Sequence, residues 1–157
     1  MKKLFALFGA CLLFFGCSQE DSENLNALQI KTFEMNQNCF SYIKLDQAEI
    51  VITNASDYRV FEDSIRVYWF QSCDTAHLPE IGFDTAFFVG KYTQVPGCSA
   101  RYESQAFYNP ESDSYKFQIS AIGIGTCEKL NSAFNCAIIP KQSENYTVQM
   151  EVEYYQE

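Results

Sequence analysis

Cysteine is the residue type with the most varied chemistry in this chain. The 157 residues include seven cysteines but one histidine, His77. A thiol can be acylated, oxidised to a disulfide or used as a metal ligand, and compartment and spacing decide which. Cys11 and Cys17 lie near the N-terminus. The other five are Cys39, Cys73, Cys98, Cys127 and Cys136.

The spacing of the potential ligands argues against a metal site. Cys73 and His77 are the one closely spaced Cys–His pair, and no Cys-x-x-Cys occurs. A structural zinc ion needs four convergent ligands, which this pattern does not supply. Asn109, Glu111 and Asp113 alternate as in a calcium loop, but the central glycine and the closing glutamate are missing. We therefore expect no metal, no cofactor, and a hairpin turn at residues 109–114.

Motifs for catalysis are also missing from the sequence. A Cys or Ser nucleophile would have to use His77 as its base, and no Gly-x-Ser-x-Gly occurs. Gly123 and Gly125 lack the third glycine and the following helix of a dinucleotide site. We expect no catalytic residue and hence no enzyme.

Residues 1–16 have the layout of a secretory signal. Lys2 and Lys3 precede an apolar run at residues 4–15, which is too short for a stable transmembrane helix. The end of this run, with Gly16 before Cys17, resembles a bacterial lipoprotein signal, which implies that Cys17 is lipidated. Cleavage before Cys11 would leave a shorter apolar run, so Cys17 is the better site. Residues 17–29 are then a lipidated acidic tether, and residues 30–157 a single β-rich domain.

The residues after Cys17 indicate a destination. Ser18 resembles the default signal for the outer membrane, and the cluster Gln19-Glu20-Asp21 resembles the surface-export tag of Bacteroidetes lipoproteins. An outer-membrane protein that faces the cell surface is the expected product. The full sequence has a net charge of −9, which removes the usual driving force for binding nucleic acid.

The elements of the domain follow from the apolar periodicity. Strands are predicted at 48–53, 66–71, 87–93, 100–108, 115–124, 134–139 and 146–154, and a helix at 55–63 with Asn54 or Ser56 as its N-cap. Short strands joined by short turns predict a mainly β fold, or α+β with little α. The expected form is an antiparallel meander sheet or small sandwich with one short helix, stapled by disulfide.

The hairpin register suggests one disulfide. If Tyr108 faces Tyr115, Cys98 lies opposite Gly125, close enough to Cys127 for a modest twist to join them. We predict a Cys98–Cys127 bond, since exported thiols are usually oxidised. Cys39 then pairs with Cys73 or with Cys136, and the sequence leaves both open.

The turn and strand residues resemble those of a small uncharacterised Bacteroidetes lipoprotein family. The similar segments include Leu78-Pro79-Glu80-Ile81-Gly82-Phe83, Val89-Gly90-Lys91-Tyr92, Gly97-Cys98-Ser99, Gly125-Thr126-Cys127 and Ile138-Ile139-Pro140-Lys141. The resemblance covers residues 48–152 and implies a secreted lipoprotein with an all-β or α+β domain. The C-terminal part is faintly similar to protease-complex-stabilising domains. Three Asp-Ser/Thr-aliphatic sequences resemble O-glycosylation sequons of the same bacteria, with candidate acceptors Ser64, Thr75 and Thr85.

These features favour a surface protein that binds rather than catalyses. We expect a binding or interaction module, anchored in the membrane through N-terminal acyl chains, with an envelope protein or a glycan as partner and no nucleic acid. The alternatives are a structural or stabilising subunit of an envelope complex and, less favoured, an uncharacterised hydrolase.

Overall fold

The computed structural model describes residues 24–36, 49–66 and 78–157, and these contain eight strands and one helix. The strands and helix are β1 (Asn26–Leu28), β2 (Lys31–Asn36), β3 (Glu49–Ile52), α1 (Ala55–Arg66), β4 (Ala86–Pro96), β5 (Ser99–Asn109), β6 (Ser114–Ile124), β7 (Leu130–Pro140) and β8 (Thr147–Gln156). The expectation of a mainly β fold with one short helix is confirmed for the described residues. The part of the predicted strand 66–71 beyond Arg66 lies outside them.

The strands form a sandwich of two four-stranded sheets. Sheet 1 has the order β1-β5-β6-β8, and sheet 2 has the order β2-β7-β4-β3. All pairs are antiparallel except β6 with β8, which run parallel. This parallel pair departs from a simple meander because β7, which lies between β6 and β8 in sequence, belongs to the other sheet. Two successive reversals return β8 to sheet 1 in the direction of β6.

The main core lies between the two sheets. In β6 the side chains of Tyr115, Phe117, Ile119 and Ala121 are all buried, and they alternate with polar residues on the outer face of sheet 1. Sheet 2 contributes buried residues from β4 and β7, including Phe87. The predicted alternation of β6 is therefore confirmed, and it places one face of sheet 1 in the core and the other in solvent.

A second core covers the opposite face of sheet 2. Helix α1 begins after Asn54, whose side-chain oxygen accepts a hydrogen bond from the Asp57 amide at 2.9 Å, as an N-cap should. Tyr58 and Phe61 of the helix pack on Phe88, with ring centroids 5.5 Å and 5.2 Å apart. Sheet 2 is therefore buried on both faces, which explains the apolar run at residues 86–90 of β4.

The disulfide closes the end of the β5–β6 hairpin. Tyr108 pairs with Tyr115 as predicted, and Cys98 is bonded to Cys127 with Cα atoms 4.6 Å apart. Gly125 has φ +78°, and a Cβ there would lie 2.9 Å from the Cys98 sulfur. Only glycine combines that backbone angle with so close an approach.

The expected tether does not extend to residue 29. Residues 26–28 form β1, which pairs with the end of β5 at residues 106–108. The assignment of residues 17–29 to the tether was therefore too long. Leu28 packs against the inter-sheet core, and this burial orders a segment whose composition alone looks like a polar linker.

Candidate functional site

A row of polar residues crosses the inner face of sheet 2. The strand registers pair Glu34 with Asn135, Asn135 with Lys91, and Lys91 with Glu49. Side chains on a strand alternate between faces, and this row has the same parity as Val89 of the inter-sheet core. Four polar side chains from four strands thus point toward sheet 1. We call them the polar row.

The centre of the polar row is fully enclosed. Asn135 is 1% exposed and donates a hydrogen bond from Nδ2 to the Thr93 hydroxyl at 2.6 Å. Its carbonyl oxygen Oδ1 is buried without a hydrogen-bond partner among the described residues. Leaving such a group unpaired typically costs about 1–3 kcal/mol, so the buried Asn135 amide is a local destabilising feature of the sandwich.

Sheet 1 places two tyrosines opposite the polar row. Ala121 of β6 is paired with Tyr102 of β5 on one side and with Tyr154 of β8 on the other, and all three side chains lie on the inner face of sheet 1. The Tyr102 hydroxyl donates to the Asn131 carbonyl at 2.9 Å. Burial raises the pKa of Tyr102 to about 12, and the nearby charge of Glu34 adds to the effect. The phenol therefore stays protonated and acts as a hydrogen-bond donor at any physiological pH.

Glu34 and Tyr102 line two adjacent clefts where the sandwich opens between β2 and β5. The larger has a volume of about 510 Å³ and also contains Ser99, Lys129 and Asn131. The smaller has a volume of about 230 Å³ and also contains Thr32, Phe33 and Ser104. We call the two clefts together the Glu34 groove. Desolvation raises the pKa of Glu34 above its ordinary value, which marks this carboxylate as partly shielded from water.

The groove offers the chemistry of a binding site. It holds a carboxylate, hydroxyls and a protonated phenol for hydrogen bonds, and the aromatic ring of Tyr102 for contact with apolar faces. Glu34 is the one carboxylate among the residues that line the two clefts. This arrangement can recognise a polar ligand and orient it.

The opposite side of the sandwich is closed by an ion pair. Lys91 bonds to the Glu49 carboxylate of β3 and donates to the Met150 carbonyl of β8 at 3.3 Å. The lysine therefore links the edge strands of the two sheets. A cleft of about 820 Å³ lies farther along this side and is lined by Val51, Asp113 and Lys141, among others.

The chain matches no protein-family model, no curated protein and no solved structure. The geometry of the described residues is therefore the basis for any functional argument. Among them, no group of three or more His, Cys, Asp or Glu side chains could hold a metal ion. No helix in the described part of the chain is long and apolar enough to cross a membrane.

The described residues include some of the sites predicted from the sequence. Cys98 and Cys127 form the expected disulfide. Ser64 and Thr85 are exposed, and their hydroxyls donate locally to the Phe61 carbonyl at 2.6 Å and the Gly82 carbonyl at 3.3 Å. Both are accessible, and their glycosylation stays a prediction. The sites that lie outside the described residues are Cys11, Cys17, Cys39, Cys73, Thr75 and His77.

Cys136 corrects one of the two alternatives for the second disulfide. It carries a free thiol, buried beneath α1 among Phe88, Phe134 and other core residues. The alternative that pairs Cys39 with Cys136 is therefore not formed in this structure. The physical reason is that the Cys136 side chain points into the helix-covered core of a central strand. The pairing of Cys39 with Cys73 stays a prediction.

The predicted turn at residues 109–114 is confirmed, and its side-chain oxygens accept hydrogen bonds from within the hairpin. The Asn109 side chain accepts a hydrogen bond from the Glu111 amide at 2.9 Å, and Asp113 accepts one from the Tyr108 hydroxyl at 2.5 Å. Asp113 also adopts φ +47°, a left-handed angle that Asp tolerates in turns.

Sequence reasoning did not find the polar row or the Glu34 groove. Glu34 lies in a segment for which the sequence predicts no strand, and Asn135 is the one polar residue of the strand predicted at 134–139. One signal was present: Lys91 and Thr93 have the same parity as Phe87 and Val89, so a strand through all four must turn a lysine inward. The partners of that lysine come from strands distant in sequence.

Proposed function

We propose that this protein is an outer-membrane lipoprotein, held by acyl chains on Cys17 and facing the cell surface, whose β-sandwich binds a ligand in the Glu34 groove. The protein acts by binding rather than by catalysis. The observation that carries the ligand site is that the exposed Glu34 and the half-buried Tyr102, whose pKa values are both raised by desolvation, line the same two adjoining clefts. Desolvated polar groups that converge on a cleft are typical of binding sites.

A glycan is the ligand class that this lining suits best. Sugar hydroxyls can donate to the Glu34 carboxylate and to the Tyr102 phenol oxygen, while sugar C–H faces can pack on the Tyr102 ring. The net charge of −9 disfavours anionic ligands. Neutral oligosaccharides are therefore preferred over phosphorylated or sulfated ones.

The ligand assignment is tested by glycan-array binding of the mature protein, followed by titration calorimetry with the best neutral glycan. Glu34→Gln should weaken binding about tenfold, since a hydrogen bond to a charged group is worth about 1.5–3 kcal/mol. Tyr102→Phe should weaken it less, because the ring is kept. Glu111→Gln, on an exposed turn outside both clefts, is the matched control. Equal binding by Glu34→Gln and Glu111→Gln would remove the groove as the site.

The anchoring is tested separately by cell fractionation. A Cys17→Ser variant should leave the membrane fraction, because the acyl chains supply the membrane affinity. Protease treatment of intact cells should digest the wild-type protein if it faces outward. A Cys17→Ser protein that resists high-salt extraction from membranes would contradict lipidation at this residue.

A further inference from the structure

The free edge of β8 can be located from the direction of its backbone groups. The amides of Thr147 and Glu157 donate toward β6, to the carbonyls of Asp113 and Gly123 at 3.1 Å and 2.9 Å. The Met150 carbonyl instead points away from β6, because Lys91 of sheet 2 donates to it. Backbone groups on a strand alternate in direction, so the even-numbered residues of β8 present their N–H and C=O groups to the outer edge.

Part of this edge is capped and part is open. β8 is the last strand of sheet 1, and among the described residues Lys91 is the group that bonds to its outer edge, at Met150. Beyond that cap, the outward groups of Val152 and Tyr154 have no backbone hydrogen-bond partner in the described part of the chain. An unpaired strand edge is a template for another strand.

Exposed aromatic side chains flank the open part of the edge. Tyr154 is 62% exposed on the inner face, and the adjacent Tyr155 is 49% exposed on the outer face. A strand added beside them would meet one tyrosine on each of its faces. Large exposed aromatics at one place on a surface are typical of interaction sites.

The charge of the edge selects the partner. β8 contains Glu151 and Glu153 and no basic residue, and the whole chain carries a net charge of −9. Lys116 pairs with Glu151 at 2.7 Å, whereas Glu153 accepts hydrogen bonds from the uncharged groups of Gln118 and Tyr155. A second copy of this chain, paired antiparallel through β8, would set glutamates against glutamates, which is unfavourable. A segment with lysine or arginine at these positions would instead be attracted to the glutamates.

We propose that the edge of β8 from Val152 onward binds an extended, basic segment of a partner protein as an added strand. The backbone hydrogen bonds supply the alignment, the carboxylate of Glu153 attracts lysine or arginine at alternate positions, and the two tyrosines pack on the segment. This site is separate from the Glu34 groove, so it stands or falls independently of the glycan proposal.

The experiment uses the mature protein and a synthetic peptide of alternating lysine and valine, with fluorescence anisotropy as the readout. Two control peptides are used. The same peptide N-methylated at alternate residues lacks the backbone N–H donors, and a peptide of alternating glutamate and valine carries the opposite charge. The parent peptide should bind at least about tenfold more tightly than either control, since each backbone hydrogen bond is worth about 0.5–1.5 kcal/mol.

A pair of variants at one position tests the edge itself. Tyr154→Ala keeps the outward amide, whereas Tyr154→Pro removes it, and edge strands tolerate proline at such positions. The proline variant should bind about tenfold more weakly than the alanine variant. Glu153→Gln should also weaken binding, with Glu111→Gln as its control. Amide exchange should show Val152 and Tyr154 unprotected in the free protein and protected with the peptide.

Several outcomes would overturn the proposal. These are equal binding of the N-methylated peptide, equal binding by Tyr154→Pro and Tyr154→Ala, or no binding of the parent peptide. Protection of Val152 and Tyr154 in the free monomer would show that a segment of this chain already occupies the edge. Protection that appears only with rising protein concentration would identify a second copy as the occupant. Glycan binding should be unchanged by Glu153→Gln, whose side chain lies on the outer face of sheet 1 and lines neither cleft, so failure here is distinct from failure of the Glu34 groove.

Discussion

Replacing both members of the Cys98–Cys127 disulfide by serine should lower the free energy of unfolding substantially. The two residues are 29 apart in sequence, and the bond closes the loop that contains the β5–β6 hairpin. The chain-entropy relation gives about 3.6 kcal/mol for a loop of this length at 25 °C. A domain of this size typically has a total stability of about 5–15 kcal/mol, so the loss is a large fraction.

The assay is urea and thermal unfolding of the mature wild-type protein and the Cys98→Ser, Cys127→Ser double variant. For a domain of about this size the melting temperature should fall by roughly 10 °C. The fall should be accompanied by looser packing at the Glu34 groove, because Cys98 lines it. Glycan affinity measured well below the melting temperature should therefore fall in the double variant.

A reducing agent provides the control for the remaining cysteines. When it is added to the double variant, any fall in the melting temperature comes from a disulfide other than Cys98–Cys127. This fall is subtracted from the fall that the reducing agent causes in the wild-type protein. The reasoning is refuted if the wild-type bond is verified by peptide mapping and the double variant loses less than about 1 kcal/mol, a result far below the chain-entropy value. The denatured chain would then already be compact in this loop.

Three further predictions concern single positions in the two cores and the groove. Gly90→Ala should destabilise the protein by about 1–3 kcal/mol in urea unfolding, because its Cβ would lie 2.2 Å from the Phe134 ring. The raised pKa of Glu34 favours its neutral form in the folded state, so stability should rise as pH falls through that pKa toward the unfolded value of 4.5. Glu34→Gln should flatten this part of the pH profile, and an unchanged profile would contradict the assignment. Burial raises the pKa of the Cys136 thiol, so it should react with a thiol reagent only after unfolding; fast labelling of native protein would disprove its burial.

Local patterns in the sequence determined several elements of this protein. The alternation around Phe117 predicted which face of β6 is buried, and the turn at residues 109–114 set the register that brings Cys98 to Cys127. Asn54 and Ser56 were the two candidate N-caps for α1, and the structure shows Asn54 in that role. Each of these features depends on residues within one strand, one turn or one hairpin. There the alternation of side chains and the reversal of the chain at the turn fix which residues are neighbours.

The tertiary structure alone decided how the strands divide between two sheets. Alternation shows that one face of a strand is buried, but it does not say which strand lies against that face. The parallel pairing of β6 with β8 depends on β7 joining the other sheet, a long-range choice with no local signal. β1 and β2 were missed because their burial comes from the strands beside them rather than from strongly apolar sequences.

The same limit applies to the candidate sites. Glu34, Asn135, Lys91 and Glu49 come from four strands that are far apart in the chain, and only the register of sheet 2 sets them side by side. The sequence shows that Lys91 lies on the same face of its strand as Val89. Its partners, the convergence of Glu34 with Tyr102 on one groove, and the open edge at Tyr154 required the packed sandwich, since each depends on which strands are neighbours and which lie at an edge.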